Sequence, residues 1–293
     1  MHFTNQRILI TGGSSGIGLA LAKQLSALGA HVCILARRDD LLQASLIAIT
    51  ASRKHESQRF SALKADVANH EDVSQVIRGY IESEGAIDIL INSAGVVEPG
   101  VFQELTPRDF EWNMAVNFHG TVNATLAVIQ PMLARGSGVI VNISSMAGFL
   151  GIYGYTAYSA SKYAVRGFSD ALRGEMKPRG IRVHLVFPPD TDTPQLAYDN
   201  AHKPTVTKEL SGIAKALSPE YVAAAILKGI AQQRYIITPG FDATLYYHLA
   251  NFVGPLVYPI MDRLISVAMR SERSAHHQRR QQESAHPDEI RHQ

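Results

Sequence analysis

Arg7-Ile8-Leu9-Ile10-Thr11-Gly12-Gly13-Ser14-Ser15-Gly16-Ile17-Gly18 opens the chain's regular structure. A short apolar strand run passes through spaced glycines into a helical pattern that continues to about Leu28. Strand, glycine turn and helix in that order form the context that a dinucleotide-binding turn needs. The glycines let the backbone bend sharply and approach a pyrophosphate, and free N–H groups at the helix start meet its charge. An ordinary glycine-rich turn would show the same glycines, so the reading rests on the strand and helix around them. The residues of the turn that would face such a cofactor are Gly12, Ser14, Ser15, Gly16, Ile17 and Gly18.

Outward from this turn, short β-branched runs alternate with longer helical patterns. His31 to Ala36 is followed by a helix through Leu41 to Ser52, a strand near Arg59 to Lys64 and a helix from Glu71. Then come the run Ile87 to Ser93, a long helical stretch through Asp109 to Leu133, and strands at Gly138 to Ser144, Ile181 to Phe187 and Tyr235 to Thr238. Runs such as Ile87-Asp88-Ile89-Leu90-Ile91 are almost wholly apolar instead of alternating, as central strands covered on both faces must be. The expected fold class is α/β, with a doubly wound parallel sheet of about seven strands between two helix layers. Functional residues then belong at the carboxyl ends of the strands.

The chain has 293 residues, a formal net charge of +2 and one cysteine. Scattered Lys and Arg at so small a net charge give no argument for nucleic acid as a partner. Cys33 lies in an apolar strand run and has no second cysteine to pair with, so it reads as a buried, inert thiol. With no apolar stretch ahead of Arg7 that could serve as a signal peptide, the expected setting is reducing and cytoplasmic.

At the end of the second strand a carboxylate would accept hydrogen bonds from a ribose 2′-hydroxyl and repel a 2′-phosphate. That position reads Ala36-Arg37-Arg38, with no acid before Asp39. Arg37, with Arg38 and Ser14 nearby, can clamp the phosphate, which points to NADPH/NADP; the alternative is a pair of solvated surface charges. Tyr158 and Lys162 are four residues apart and share one helix face. An ammonium beside a phenol, together with a nicotinamide cation, favours the phenolate and makes tyrosine an acid-base group. Ser145, at the end of a strand, can hold a substrate oxygen as charge develops there.

Thr11 to Gly18, Asp66, Asn92-Ser93-Ala94-Gly95, Asn117, Ser144-Ser145, Tyr158 and Lys162 together resemble the motif set of the short-chain dehydrogenase/reductase family, from about Arg7 to Gly240. The resemblance implies a single Rossmann-type domain over residues 1–240, with Tyr158 as general acid, Ser145 positioning the carbonyl, and Lys162 lowering the tyrosine pKa and binding the ribose. It implies Asn117 as anchor of a water relay to the lysine, Asp66 and Val67 against adenine, and Asn92, Ala94 and Gly95 supporting the sheet next to the cofactor. Ser93 departs from the family's frequent second asparagine. A homodimer or homotetramer is also implied, and no metal.

After the sixth strand the family usually has Pro-Gly and then a Thr touching the nicotinamide. Here the string is Pro188-Pro189-Asp190-Thr191-Asp192-Thr193-Pro194. A second proline fixes the backbone and removes an N–H, so this loop is stiffer. It is similar to the branch of the family that reduces the 3-keto group of a long-chain sphingoid base with NADPH; Pro188, Thr191 and Thr193 would flank the cofactor. The alternatives are another long or bulky ketone, such as a 3-oxoacyl thioester or a steroid, and an NADP-binding module without turnover. A sphingoid substrate, a long-chain keto lipid, carries an amine, for which Asp190, Asp192 and Glu98 are candidate partners.

Ala243 to Met261 is apolar and aromatic, interrupted by His248, Asn251, Gly254, Pro255 and Pro259. Residues 241–270 read as a membrane-interface segment, which would put the enzyme peripherally on the cytoplasmic face of a membrane, or as a lid or oligomer contact. The prolines and polar residues argue against a clean span. Residues 271–293 are polar and read as a disordered tail. Their histidines, His276, His277, His286 and His292, lack metal-site spacing.

Overall fold

The computed structural model describes residues 2–211 and 215–270. The seven strands are β1 (Arg7–Thr11), β2 (His31–Ala36), β3 (Phe60–Lys64), β4 (Ile89–Asn92), β5 (Gly138–Ile143), β6 (Ile181–Val186) and β7 (Ile236–Ile237). They form one sheet in the order β3-β2-β1-β4-β5-β6-β7, parallel throughout. The strand order reverses between β1 and β4, and a parallel sheet opens a crevice at such a point, beyond the strands' carboxyl ends.

The helices that connect and flank the strands include α1 (Gly16–Ala27), α2 (Asp39–Ala51), α3 (His70–Glu84), α4 (Pro107–Asn113), α5 (Gly120–Arg135), α6 (Thr156–Met176), α7 (Pro194–His202), α8 (Thr205–Ser211), α9 (Pro219–Ala231) and α10 (Phe241–Val253). The pleat of β1 shows why two layers are needed. Ile8 and Ile10 point into a cluster with Leu21, Leu25, Val222 and Ile226 of α1 and α9. Leu9, between them, joins Ile77, Ala124 and Val128 of α3 and α5 on the other face. All three β1 side chains are fully buried, and each contributes about 1.5–3 kcal/mol through burial.

A buried polar thread runs through this apolar core. Asn92 Nδ2 donates to Asn142 Oδ1 at 2.9 Å and Thr125 Oγ1 at 3.2 Å, and Asn142 Nδ2 donates to Ser169 Oγ at 2.9 Å. It ties β4, β5, α5 and α6 together through the Asn92 side chain.

The long helical stretch expected over Asp109 to Leu133 is α4 and α5 joined by a π-helical segment, Met114–His119. That wider turn contains Asn117. Beyond Gly240, α10 and the residues after it make a helical stretch, Phe241–Arg270, with a 3-10 turn at Gly254–Leu256. By length and composition it is apolar enough to cross a membrane, and most of it is exposed: Phe252 is 92% accessible. Its inner side is held by Tyr247, whose ring stacks on Phe187 and meets Phe149 edge-on. Residues 271–293, read above as a disordered tail, lie outside the described residues.

Candidate active site

The glycine turn is close-packed. Gly12 has φ +69°, and a Cβ there would stand 2.7 Å from Ala94 Cα; a Cβ on Gly18 would collide with the Gly12 carbonyl. Gly16 has φ +53°, and a Cβ on it would come within 2.9 Å of the Thr193 methyl. Ser15 caps α1 in extended conformation with no side-chain cap, which leaves the first helical N–H groups to face the crevice. Ser14 is fixed from behind, its carbonyl accepting from Ser45 Oγ at 3.1 Å. This cradle, closed to any side chain on its glycines, fits a pyrophosphate.

Arg37 and Arg38 are exposed at the carboxyl end of β2, and Arg37 makes a loose 3.7 Å ion pair with Asp66. Both are half-open side chains, so the pair is weak enough for a phosphate to displace. Asp66 also accepts from the Ala68 N–H at 3.0 Å, and the Val67 carbonyl accepts from Asn123 Nδ2 at 2.9 Å. The end of β3 is thereby fixed next to the arginines.

Ser145, Tyr158, Lys162 and Asn117 come together beyond the ends of β4 and β5. The Tyr158 phenol hydrogen-bonds to Ser145 and to Gln195, and the Ser145 hydroxyl also accepts from the Ala147 N–H at 3.2 Å. Lys162, one turn along α6, is 4% exposed; its Nζ donates to the Ile143 carbonyl at 3.2 Å and lies 5.6 Å from the Tyr158 ring centre. Asn117 Oδ1 accepts from the Val96 N–H at 2.8 Å, while Nδ2 donates to the Val96 carbonyl at 3.0 Å and Ser161 Oγ at 2.9 Å. Gly95 is the floor between them. A Cβ there would sit 3.3 Å from Asn117 Oδ1 and 3.4 Å from Lys162 Nζ.

Burial dominates the electrostatics of the pair. Burial pushes Tyr158 up to about 12, against hydrogen bonds from Ser145 and Gln195 that pull it down. Burial alone takes Lys162 down to about 8.

The stiff loop closes the same crevice. The Pro188 carbonyl accepts from the Met146 N–H at 3.2 Å, Thr191 Oγ1 donates to the Pro189 carbonyl at 2.9 Å, and Thr193 caps α7 by accepting from the Leu196 N–H at 3.2 Å. The sequence reading missed Gln195, Tyr155, Asp199 and Lys203. Tyr155 donates to Asp199 Oδ2 at 2.7 Å, and Lys203 Nζ lies 3.5 Å from the same oxygen, all three side chains being buried. The available signal was Asp199 and Lys203 at i and i+4 on a helix next to Pro194. Of the acids considered for an amine, Glu98 accepts from the Tyr198 hydroxyl at 3.0 Å and Asp192 is exposed.

Residues 6–204 match the family model described as short chain dehydrogenase. The chain belongs to this family of nicotinamide-dependent oxidoreductases, which act on a ketone or hydroxyl group. Its relatives include "3-ketodihydrosphingosine reductase" of Bos taurus, 37% identical over 89% of this chain and 78% of that one. Another is "3-dehydrosphinganine reductase" of Danio rerio, 37% identical over 87% and 77%. A solved short-chain dehydrogenase from Streptomyces avermitilis superposes with TM-score 0.73 at 29% identity, covering 87% of this chain and 96% of that one.

Proposed function

We propose that the protein reduces 3-ketosphinganine to sphinganine with NADPH, in sphingolipid synthesis. The observation that carries the substrate is the similarity to reductases named for that ketone, which extends over more than four-fifths of the chain. The Pro188-Pro189 loop agrees with it. The exposed pair Arg37 and Arg38, with no acid at the end of β2, supports NADPH over NADH.

Gly12, Ser14, Ser15, Gly16, Ile17 and Gly18 would hold the pyrophosphate, Arg37 and Arg38 the 2′-phosphate, and Asp66 and Val67 the adenine. Ala94, Gly95, Pro188, Thr191 and Thr193 would line the nicotinamide end. When bound, NADPH supplies the hydride. Tyr158, held protonated by its burial, gives its proton to the ketone oxygen, and the Ser145 hydroxyl steadies that oxygen while charge develops on it. Lys162 feeds the phenol and binds the ribose, and Asn117 fixes the Val96 backbone beside it and anchors the water path. Residues 1–240 form the catalytic unit. The apolar face of 241–270 docks the enzyme peripherally on the cytoplasmic side of a membrane, where its substrate is dissolved, and the working form is a homo-oligomer.

The test is NADPH oxidation by purified protein in detergent, with 3-ketosphinganine beside a 3-oxoacyl thioester and with NADH as control. Turnover of the sphingoid ketone with NADPH, lost by about 10²–10⁴-fold in Tyr158→Phe, is the expected result. Turnover of the thioester alone would retain the family and discard the substrate.

A further inference from the structure

The charges around Asp199 do not balance. Asp199 is 5% exposed; its Oδ2 takes the Tyr155 hydroxyl and the Lys203 ammonium, and its Oδ1 is buried with no partner among the described residues. Asp190 adds a second carboxylate. It stands two residues past Pro188, whose carbonyl holds the turn next to Ser145, and its own backbone carbonyl is tied down by the Leu217 N–H at 2.9 Å. The residue is exposed at the surface, yet its carboxyl is partly desolvated by the surrounding protein, which with Asp199 raises its pKa against the pull of Lys203; it has no hydrogen-bond or ion-pair partner among the described residues and lies within electrostatic reach of Tyr155 and Tyr158.

Asp190 and Asp199 therefore share Lys203, since Tyr155 stays a neutral phenol and Lys162, the other ammonium near Tyr158, is bonded to the Ile143 carbonyl. A buried cluster that only held α7 to the start of α6 would need Tyr155, Asp199 and Lys203 and nothing more. The surplus negative charge is placed next to the reacting phenol: the Tyr155 and Tyr158 rings are 5.8 Å apart. There it opposes ionisation of Tyr158. A cation arriving with the substrate would remove the imbalance.

We propose that Asp190, backed by the buried Asp199, receives an ammonium group carried on the carbon next to the substrate's ketone, and so selects amino ketones over neutral ketones. The proposal rests on the sphingoid reading above and adds to it the residue that reads the amine. Asp199, pinned by Tyr155 and Lys203, contributes charge, and Asp190, unpaired and accessible, makes the contact. A charged donor on a carboxylate is the strong case among hydrogen bonds, and a site built for one rejects the analogue that lacks it.

The experiment compares kcat/KM for 3-ketosphinganine and for its des-amino analogue, in wild type and Asp190→Asn. Wild type should prefer the amine by at least about tenfold, and the variant's preference should fall to within about threefold, through KM for the amino ketone. Cofactor binding reports that the variant is folded. If it does not fold, inhibition of wild type by hexadecylamine against hexadecanol replaces it, with at least about tenfold preference for the amine expected. Wild type that reduces 3-ketosphinganine no better than the des-amino ketone overturns this proposal alone, as does an Asp190→Asn enzyme that keeps the preference or equal inhibition by the two probes. Wild type that does not reduce 3-ketosphinganine at all overturns the sphingoid reading together with it.

Discussion

Burial drives Tyr158 and Lys162 in opposite directions, and both toward the uncharged form. For the phenol that is the state a proton donor needs. For the lysine it is a cost, because the ammonium must enter a pocket where it is 4% exposed with a single carbonyl at 3.2 Å. A shift from 10.5 to about 8 corresponds to about 3 kcal/mol. Its sign follows from proton uptake: between pH 8 and 10.5 the unfolded chain holds the lysine proton and the folded chain does not, so folding gains as pH rises through that window. Below pH 8 the full cost is present. Lys162→Met should therefore be inactive yet more stable than wild type at pH 7, and urea midpoints of the two should converge as pH rises from 8 toward 10.5. Arg37 makes a second test at this scale. With a 3.7 Å surface pair to Asp66 as its sole ion pair among the described residues, Arg37→Glu should leave stability within about 0.5 kcal/mol. It should raise KM for NADPH at least about tenfold while sparing NADH.

Between α4 and α5 the chain takes a π turn, and the turn is what brings Asn117 to Val96. One extra residue per turn swings its amide inward, where it meets both backbone groups of Val96 and the Ser161 hydroxyl; its own carbonyl is taken by Thr121 Oγ1 at 2.8 Å. Asn117→Ala would strand the buried partners of that amide. A loss of about 2–3 kcal/mol, seen as a lower denaturant midpoint, should accompany the loss of turnover. The legibility of the sequence divides along the same line. β1, the glycine turn and α1 are contiguous, and Tyr158 with Lys162 is a single helical turn, so local spacing suffices to read them. The π turn carries no compositional mark, since Met114 to His119 reads as ordinary helix. The Tyr155–Asp199 contact joins residues 44 apart and exists because Pro194 starts α7 back across the mouth of the crevice. Such contacts are set by the path of the loop, and no periodicity announces them.

At the scale of the molecule, the helical stretch Phe241–Arg270 is joined to the catalytic sheet through Tyr247, which packs on Phe187 and Phe149. Those two residues directly precede Pro188 and directly follow the 3-10 turn capped by Ser145. Phe252, Leu256, Tyr258 and Ile260 are exposed beyond it. If this face docks on lipid, Phe252→Asp with Leu256→Asp should reduce co-sedimentation with phosphatidylcholine vesicles by at least about tenfold and leave the urea midpoint unchanged, because neither side chain is in the core. Tyr247→Ala should do the reverse: a cavity beneath both loops and a loss of about 3 kcal/mol or more.

The contact between Gly16 and Thr193 bears on how this enzyme can be altered. The pyrophosphate turn and the start of the substrate-side helix meet with no room for one added methyl group. Positions 16 and 193 therefore behave as a single locus in any library or lineage. A larger residue at 193, introduced to reshape the ketone pocket, presses directly on the nucleotide turn, so substrate range and cofactor affinity will change together there. Variants that separate the two properties have to be sought elsewhere along the loop.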